Sequence, residues 1–357
     1  MFPDDGPHAA QLCVHLDGRK VVDLTGGPWP ARGLQVVRSV SKGVLALLAA
    51  VLHERGAVDL DAPVSEVWPG FAVAGKQDIT PRLLLSHQAG LPVFDRPITP
   101  ADALSWDPAV ELLERQRPRW EPGTRHGYHD LTFGWLVGEV LRRATRCGVG
   151  ELVTRELSSR LGLDLWIGTP MAELPRVQPL RSAPGARPAI PDRFDSGLLA
   201  SALGNPDLAP LEHSIEYLTA EVPAANCVSD ARSLSRLFAA AVGEVDGIRL
   251  LGEGALKAAV ATRADGPDLV VGWPRRYASG FMLPDPTRPM GGVDSLCFGH
   301  YGQGGVLVFA DPATRLSFAF TTTTMQTYLD ADPRTSPLAR TALECAESDA
   351  FERVRAR

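Results

Sequence analysis

One stretch constrains the fold more than any other: Arg38-Ser39-Val40-Ser41-Lys42 heading the apolar run Gly43-Val44-Leu45-Ala46-Leu47-Leu48-Ala49-Ala50-Val51-Leu52. As a helix this run is apolar nearly all round, so the rest of the chain has to wrap it on every side. Ser39 then lies at the first turn and Lys42 one turn later on the same face. An amine thus stands beside a hydroxyl, near the N–H groups of the helix start. A serine hydroxyl is a poor nucleophile until a base takes its proton, and a lysine in a dry pocket can serve as that base. The same letters also describe an ordinary helix start, with Ser39 as N-cap and Lys42 solvated. Composition separates the two readings. Of 36 basic residues, 32 are Arg and only four are Lys (Lys20, Lys42, Lys76, Lys257). Where charge alone is needed this chain uses Arg, so a Lys marks a place where a removable proton matters. None of the other three has a Ser three residues before it.

The 357 residues suffice for one large domain or two sub-domains with a full core. A hydrophobic content of 45% and a charged content of 22% are those of a globular protein. The net charge of −6 offers no basic footprint for nucleic acid. No segment reaches the roughly 20 apolar residues of a membrane span. The start, Met-Phe-Pro-Asp-Asp-Gly, has neither a basic region nor an apolar one that would make a signal peptide. Five widely spaced cysteines (Cys13, Cys147, Cys227, Cys297, Cys345) read as buried thiols of a reducing compartment, so a cytoplasmic protein is expected. The sequence calls for no cofactor, and it leaves the oligomeric state open.

Along the chain, Asp17-Gly18 between two β-rich runs predicts a hairpin over 11–24. Thr80-Pro81 opens a helix that stops by Gly90. Residues 91–107 read as a loop whose Phe94 and Trp106 either wall a pocket or pack. Helices are expected over 108–116, 131–143 and 150–162. Residues 166–212, rich in Pro, Gly and Arg, read as an irregular insertion of the kind that builds a substrate lid. Helices follow after Ser229-Asp230 and from Gly252 to Val260. Strands are expected over 278–283, 304–310 and 316–323, and a closing helix over 337–353. This order predicts an α+β fold: an antiparallel sheet built from both chain ends and flanked by helices, with an inserted helical sub-domain. The expected division is 1–60 plus 265–357 for the α/β part and 61–264 for the helical part.

Three further patches carry chemistry. Tyr128 sits between a turn and a helix; a phenol beside a lysine ammonium can be held as phenolate and pass a proton to a leaving group, or it is simply a half-buried core residue. Asp130 either orients Lys42 or caps the helix that follows. Phe298-Gly299-His300-Tyr301-Gly302-Gln303-Gly304-Gly305 lets a substrate backbone approach closely, and an N–H there with that of Ser39 can form an oxyanion hole. His126-x-x-His129-Asp130 lacks the Glu and the third ligand of a zinc motif, so no metal is expected. No Gly-x-Ser-x-Gly occurs, which argues against an α/β-hydrolase.

Taken together, Ser-Val-Ser-Lys (39–42), Tyr-His-Asp (128–130) and His-Tyr-Gly (300–302) resemble the three motifs of the serine β-lactamase and penicillin-binding-protein superfamily. They are most similar to its class C-like branch, which includes family VIII carboxylesterases, transesterases and thioesterases of penicillin-binding-protein type. Leu84 to Pro92, Glu121 to Thr124, Gly280 to Met282 and Phe298 to Pro312 resemble that branch too. The resemblance implies a β-lactamase-like fold with the site in the cleft between its two parts. It implies Ser39 as the acylated nucleophile, Lys42 and Tyr128 sharing acid–base work, and the N–H groups of Ser39 and Gln303 as the oxyanion hole. Asp130, His300, Gly302 and Gln88 enter as supporting or substrate-binding positions. His300 stands where β-lactamases carry Lys, so the cation that grips a β-lactam carboxylate is absent or pH-dependent. Asp130 replaces the usual Asn or Ser. About ten residues precede the hairpin, where the family usually has a helix, so either a trimmed fold or a misassigned start is expected.

The expected activity is a serine hydrolase acting on an ester, lactone or thioester through acyl-Ser39, with a small-molecule or carrier-linked acyl substrate. A biosynthetic acyltransferase or thioesterase is the alternative, and a catalytically silent ligand- or partner-binding member is the second.

Overall fold

The computed structural model describes residues 8–182, 196–326 and 332–355. Strands β1 (Ala10–Leu16) and β2 (Arg19–Gly26) form the expected hairpin. Asp17 and Gly18 take φ of 52° and 75°, a turn whose twist matches that of the strands it joins. After β3 (Gln35–Val36) comes α1 (Val40–Glu54), buried at every residue from Val40 to Leu52.

The helical middle follows. α2 (Pro81–Leu85) starts as predicted, with Thr80 accepting from the Leu83 N–H, but stops short of Gly90 because His87 adopts a φ of 61°. The predicted loop 91–107 contains α3 (Pro100–Leu104), capped by Thr99. Phe94 and Trp106 pack in the core rather than wall a pocket, the Trp106 indole donating to Glu139 at 2.9 Å. Next come α4 (Asp107–Arg115) and α5 (Thr132–Thr145). The helix expected over 150–162 is α6 (Val149–Val153) and α7 (Ser159–Leu161), joined by one wide π-type turn. The insertion contributes β4 (Leu165–Trp166), β5 (Arg181–Ser182) and α8 (Ser196–Gly204), while 183–195 lie outside the described residues. α9 (Ile215–Thr219) and β6 (Val228–Ser229) complete this part.

α10 (Ala231–Val242), capped by Asp230, and α11 (Glu253–Val260) precede the remaining strands. These are β7 (Ala264–Pro267), β8 (Pro274–Tyr277), β9 (Met282–Leu283), β10 (Phe298–Gly302), β11 (Val306–Asp311), β12 (Leu316–Thr322) and β13 (Thr324–Met325). α12 (Ser336–Arg355) closes the chain. The strand expected from 278 shrinks to Met282–Leu283 because Gly280 turns with a φ of 87°, its backbone pressed so closely on α1 that an added Cβ would lie 2.6 Å from that of Ala46.

Eight antiparallel strands pair in the order β2-β1-β12-β11-β10-β9-β8-β7, so the two chain ends meet where Ala10–Leu16 lies along Leu316–Thr322. Alternation along β11 sends Val308 and Ala310 toward α1 and α10, and Leu307 and Phe309 toward Ala339 and Leu343 of α12. The sheet is thus covered on both faces. α10 lies against β1 and β12, although the sequence division counted it with the helical part. All five cysteines are free thiols, but only Cys13, Cys227 and Cys297 are buried; Cys147 is half-buried and Cys345 exposed, against expectation. Among the described residues, no helix is long and apolar enough to cross a membrane.

Four buried histidines give this fold an acid-sensitive core. Burial holds His15 and His129 down at about 4, and His87 and His300 well below the ordinary histidine value. The unfolded chain takes up protons as pH falls through about 6.5, whereas the native state does not. The stabilisation is therefore complete above pH 6.5 and is lost as pH falls toward 4. Each such group contributes about 1.4 kcal/mol per pH unit in that window. The melting temperature is expected to drop across it and to drop less steeply in His15→Gln; a flat profile would contradict neutral burial.

Candidate active site

Ser39 stands immediately before α1, half-buried, with Lys42 fully buried one turn along. Lys42 Nζ donates to Ser39 Oγ at 3.1 Å and to the Ala224 carbonyl at 3.0 Å, and lies 3.5 Å from Asp130 Oδ1. Asp130 does not cap the following helix, whose flanking residue Leu131 makes no side-chain cap. Of its two predicted roles, the geometry is that of orienting Lys42.

The carbonyl that holds Lys42 comes from a tightly bonded turn. Asn226 accepts from Val222 N–H and donates to the carbonyls of Tyr217 and Ala220. α5 packs directly on this turn at Gly134, where a Cβ would come within 2.5 Å of the Ala224 nitrogen. Ser41 donates to the Arg38 carbonyl and accepts from Cys227 N–H at 3.0 Å, tying the head of α1 to the same turn.

Tyr128 lies with its ring centroid 4.8 Å from Lys42 Nζ. Its backbone N–H donates to Asp268 Oδ1 at 3.1 Å, and its ring stacks at 17° on that of Tyr277, whose hydroxyl donates to Asp268 Oδ2. Burial raises the Tyr128 pKa above the ordinary phenol value, the Asp130 carboxylate adding to it, while Lys42 and Ser39 pull the other way without prevailing. Burial thus favours the neutral phenol over the phenolate at rest.

His300 is the next of the predicted positions. It lies inside the sheet on β10, fully buried, against Gly43 of α1. Desolvation first, then the Lys42 charge, push its pKa far down. Its Nδ1 donates to the Tyr301 carbonyl at 2.7 Å, so Nε2 carries the lone pair. The position holds a neutral imidazole rather than a pH-dependent cation. The glycine-rich segment forms β10 itself as far as Gly302. Gly302 passes so close to Val37 that a Cβ would sit 2.5 Å from its carbonyl oxygen. Gly304 and Gly305 turn the chain with φ of 95° and 112°, and Arg334 holds the Gly304 carbonyl at 2.8 Å.

Ser39, Asp130 and Gln303 line one cleft of about 340 Å³. Its walls come from the start of α1, the segment 203–217, and the turns after β10 and β13. Among the described residues, the N–H groups of Ser39 and Gln303 have no acceptor. Ser182, Leu203, Pro206, Leu208 and Ala209 bring part of the predicted insertion to this wall. Gln88 is not brought in: its amide donates to Ser86 Oγ at 2.7 Å and to the Arg263 carbonyl at 3.2 Å. His129 uses both ring nitrogens on backbone, at Leu91 and Gly127. Among the described residues, no cluster of His, Cys, Asp or Glu could hold a metal ion. A larger cavity of about 870 Å³, between α10, α11 and β9, shares no residue with the cleft, and its Ser295 hydroxyl donates to the Gly292 carbonyl rather than to Lys257.

Sequence reasoning missed Arg38 and Glu212. Arg38 takes a φ of 49°, and its guanidinium reaches Glu212 at 2.5 Å and Gln303 Oε1 at 2.9 Å inside the cleft. Only its place beside Ser39 could have drawn attention to it.

Residues 5–342 match the protein family described as Beta-lactamase. An esterase/beta-lactamase, LipL, from Mycobacterium tuberculosis is 33% identical over 341 residues, covering 89% of this chain and 78% of its own. A family VIII carboxylesterase structure superposes with a TM-score of 0.87 at 32% identity, over 94% of this chain and 92% of that one. A penicillin-binding protein homolog from Caulobacter crescentus gives 0.89 at 35% identity, over 97% and 94%.

Proposed function

The chain belongs to the beta-lactamase family, and on that premise we propose that it is a serine esterase working through an acyl-Ser39 intermediate. The observation that carries this reading is the 3.1 Å contact between a fully buried Lys42 amine and Ser39 Oγ at the floor of a cleft. In acylation, Ser39 Oγ bonds to the ester carbonyl carbon as its proton passes to Lys42 Nζ, which acts as the base in its unprotonated form. The carbonyl oxygen takes up negative charge facing the Ser39 and Gln303 N–H groups. The carbon–oxygen bond to the leaving group breaks, and that oxygen takes the Tyr128 proton, which Lys42 restores. Water repeats the sequence in reverse roles to release the acid and free Ser39. Asp130 and the Ala224 carbonyl keep Lys42 aimed.

Charge argues for an uncharged ester. With His300 neutral and Arg38 paired to Glu212, the cleft has no free cation among the described residues to grip a carboxylate. Leu203, Pro206, Leu208 and Met325 suit a short apolar acyl chain. Tyr128→Phe is expected to slow hydrolysis of an alkyl ester about 100-fold, the scale of lost acid help. On a p-nitrophenyl ester, whose leaving group departs as an anion, the loss shrinks. Equal losses on both substrates would remove Tyr128 as the proton donor.

Intact-mass spectra after brief exposure to p-nitrophenyl butyrate test the reading. A butyryl adduct on the peptide containing Ser39 that decays in water supports the esterase. An adduct that persists until an amine or alcohol is added supports acyl transfer, in keeping with the apolar wall. Neither turnover nor labelling by a serine-directed fluorophosphonate would leave the silent, ligand-binding member.

A further inference from the structure

The two N–H groups proposed as the oxyanion hole belong to elements far apart in the chain, the head of α1 and the turn after β10. Something has to hold them in register, since a displacement of about 1 Å costs roughly 100-fold in rate. The geometry points to Arg38 as the positioning residue that couples the Ser39 and Gln303 halves of the oxyanion hole; this rests on the esterase reading above.

Arg38 is covalently joined to Ser39, and its side chain donates from Nη1 to Gln303 Oε1 at 2.9 Å, bridging 265 residues of sequence. Its Nη2 donates to Glu212 at 2.5 Å and to Met325 Sδ at 3.0 Å, so the planar fork touches both remaining walls of the cleft. Its backbone is clamped as well: the Arg38 carbonyl accepts from Ser41 N–H at 2.9 Å and from the Ser41 hydroxyl.

Two costs on this residue say that stability did not select the arrangement. A non-glycine φ of 49° lies in the sparsely populated left-handed region, a strained conformation. The Nε–H is buried and finds no acceptor among the described residues. Strain of this kind persists where the surroundings over-determine it, and here it sets the direction in which Ser39 N–H leaves the chain. On the other half, Gly302 against Val37 and Arg334 on the Gly304 carbonyl fix the backbone to either side of Gln303. The Gln303 side chain then ties this turn to Arg38 across the cleft.

Arg38→Met removes the fork, and Gln303→Met removes its acceptor while keeping the backbone N–H. Both are measured on p-nitrophenyl butyrate and against butylboronic acid, which forms a tetrahedral adduct on Ser39 with an oxygen in the hole. Each variant is expected to lose about 10- to 100-fold in kcat, with KM and melting temperature little changed. Boronate affinity should fall by the same factor as kcat/KM, because both report stabilisation of the tetrahedral oxyanion. A purely structural Arg38 would instead lower the melting temperature and leave the kcat of the folded fraction intact, overturning the inference. So would a rise in KM at constant kcat, or full boronate affinity in both variants. Labelling of the wild type by fluorophosphonate separates the two levels. An unlabelled wild type sinks the esterase reading and this inference with it; a labelled wild type beside a fully active Arg38→Met sinks this inference alone.

Discussion

Ser39→Ala is expected to lower kcat/KM on p-nitrophenyl butyrate by about four to six orders of magnitude, the scale seen when a hydrolase loses its nucleophile. The residue left behind is small, and α1 does not rely on the hydroxyl, since Ser39 makes no capping bond to the helix. The fold and its melting temperature should therefore survive. What remains is the oxyanion hole and the cleft acting on water, which supplies a weak background above the uncatalysed rate. The check is twofold: steady-state rates, and the disappearance of the butyryl adduct from the mass spectrum. A variant that keeps the adduct would place the acyl group on another residue.

Lys42→Ala is the second large effect, about two to four orders of magnitude in acylation. It removes the group bonded to Ser39 Oγ and leaves the buried Ala224 carbonyl without its 3.0 Å donor. An acceptor orphaned in the interior costs about 1–3 kcal/mol, so this variant should also melt lower. The two readouts separate. Lys42→Met fills more of the same volume and should regain part of the melting temperature while staying as slow as the alanine variant. Recovery of rate along with stability would mean that Lys42 is needed for packing rather than for proton transfer.

Much of this was legible in the chain because the relevant signals are local. The apolar run after Ser39, the Asp17-Gly18 turn and the Thr80-Pro81 cap each follow from a few neighbouring residues, and each element starts as read, although α2 ends at Leu85, short of Gly90. What escaped depends on residues distant in sequence. β7 and β8 carry Gly266, Pro267 and Pro274, poor strand formers that pair only because β9 and β10 offer an edge. His300 reads as the place of an absent or pH-dependent cation until the sheet closes over it. Arg38 carries no motif at all; its role arises from Gln303 and Glu212 arriving from remote parts of the fold. Gln88 was drawn in by likeness of its surroundings, and its amide turned out to serve Ser86 and Arg263 instead.

The burial of α1 from Val40 to Leu52 carries a consequence for how this protein loses function. α1 touches β10 and β11 on one side and α5, α6 and α11 on the other, so nearly every layer of the molecule leans on it. Ser39 and Lys42 are therefore anchored to the last part of the structure to come apart. In hydrogen exchange, the amides around them should open only with the whole domain, and activity should vanish along the same denaturant curve as secondary structure. Enzymes with catalytic groups on loose loops fail in stages, as the site frays before the core. Here inactivation and unfolding are expected to coincide.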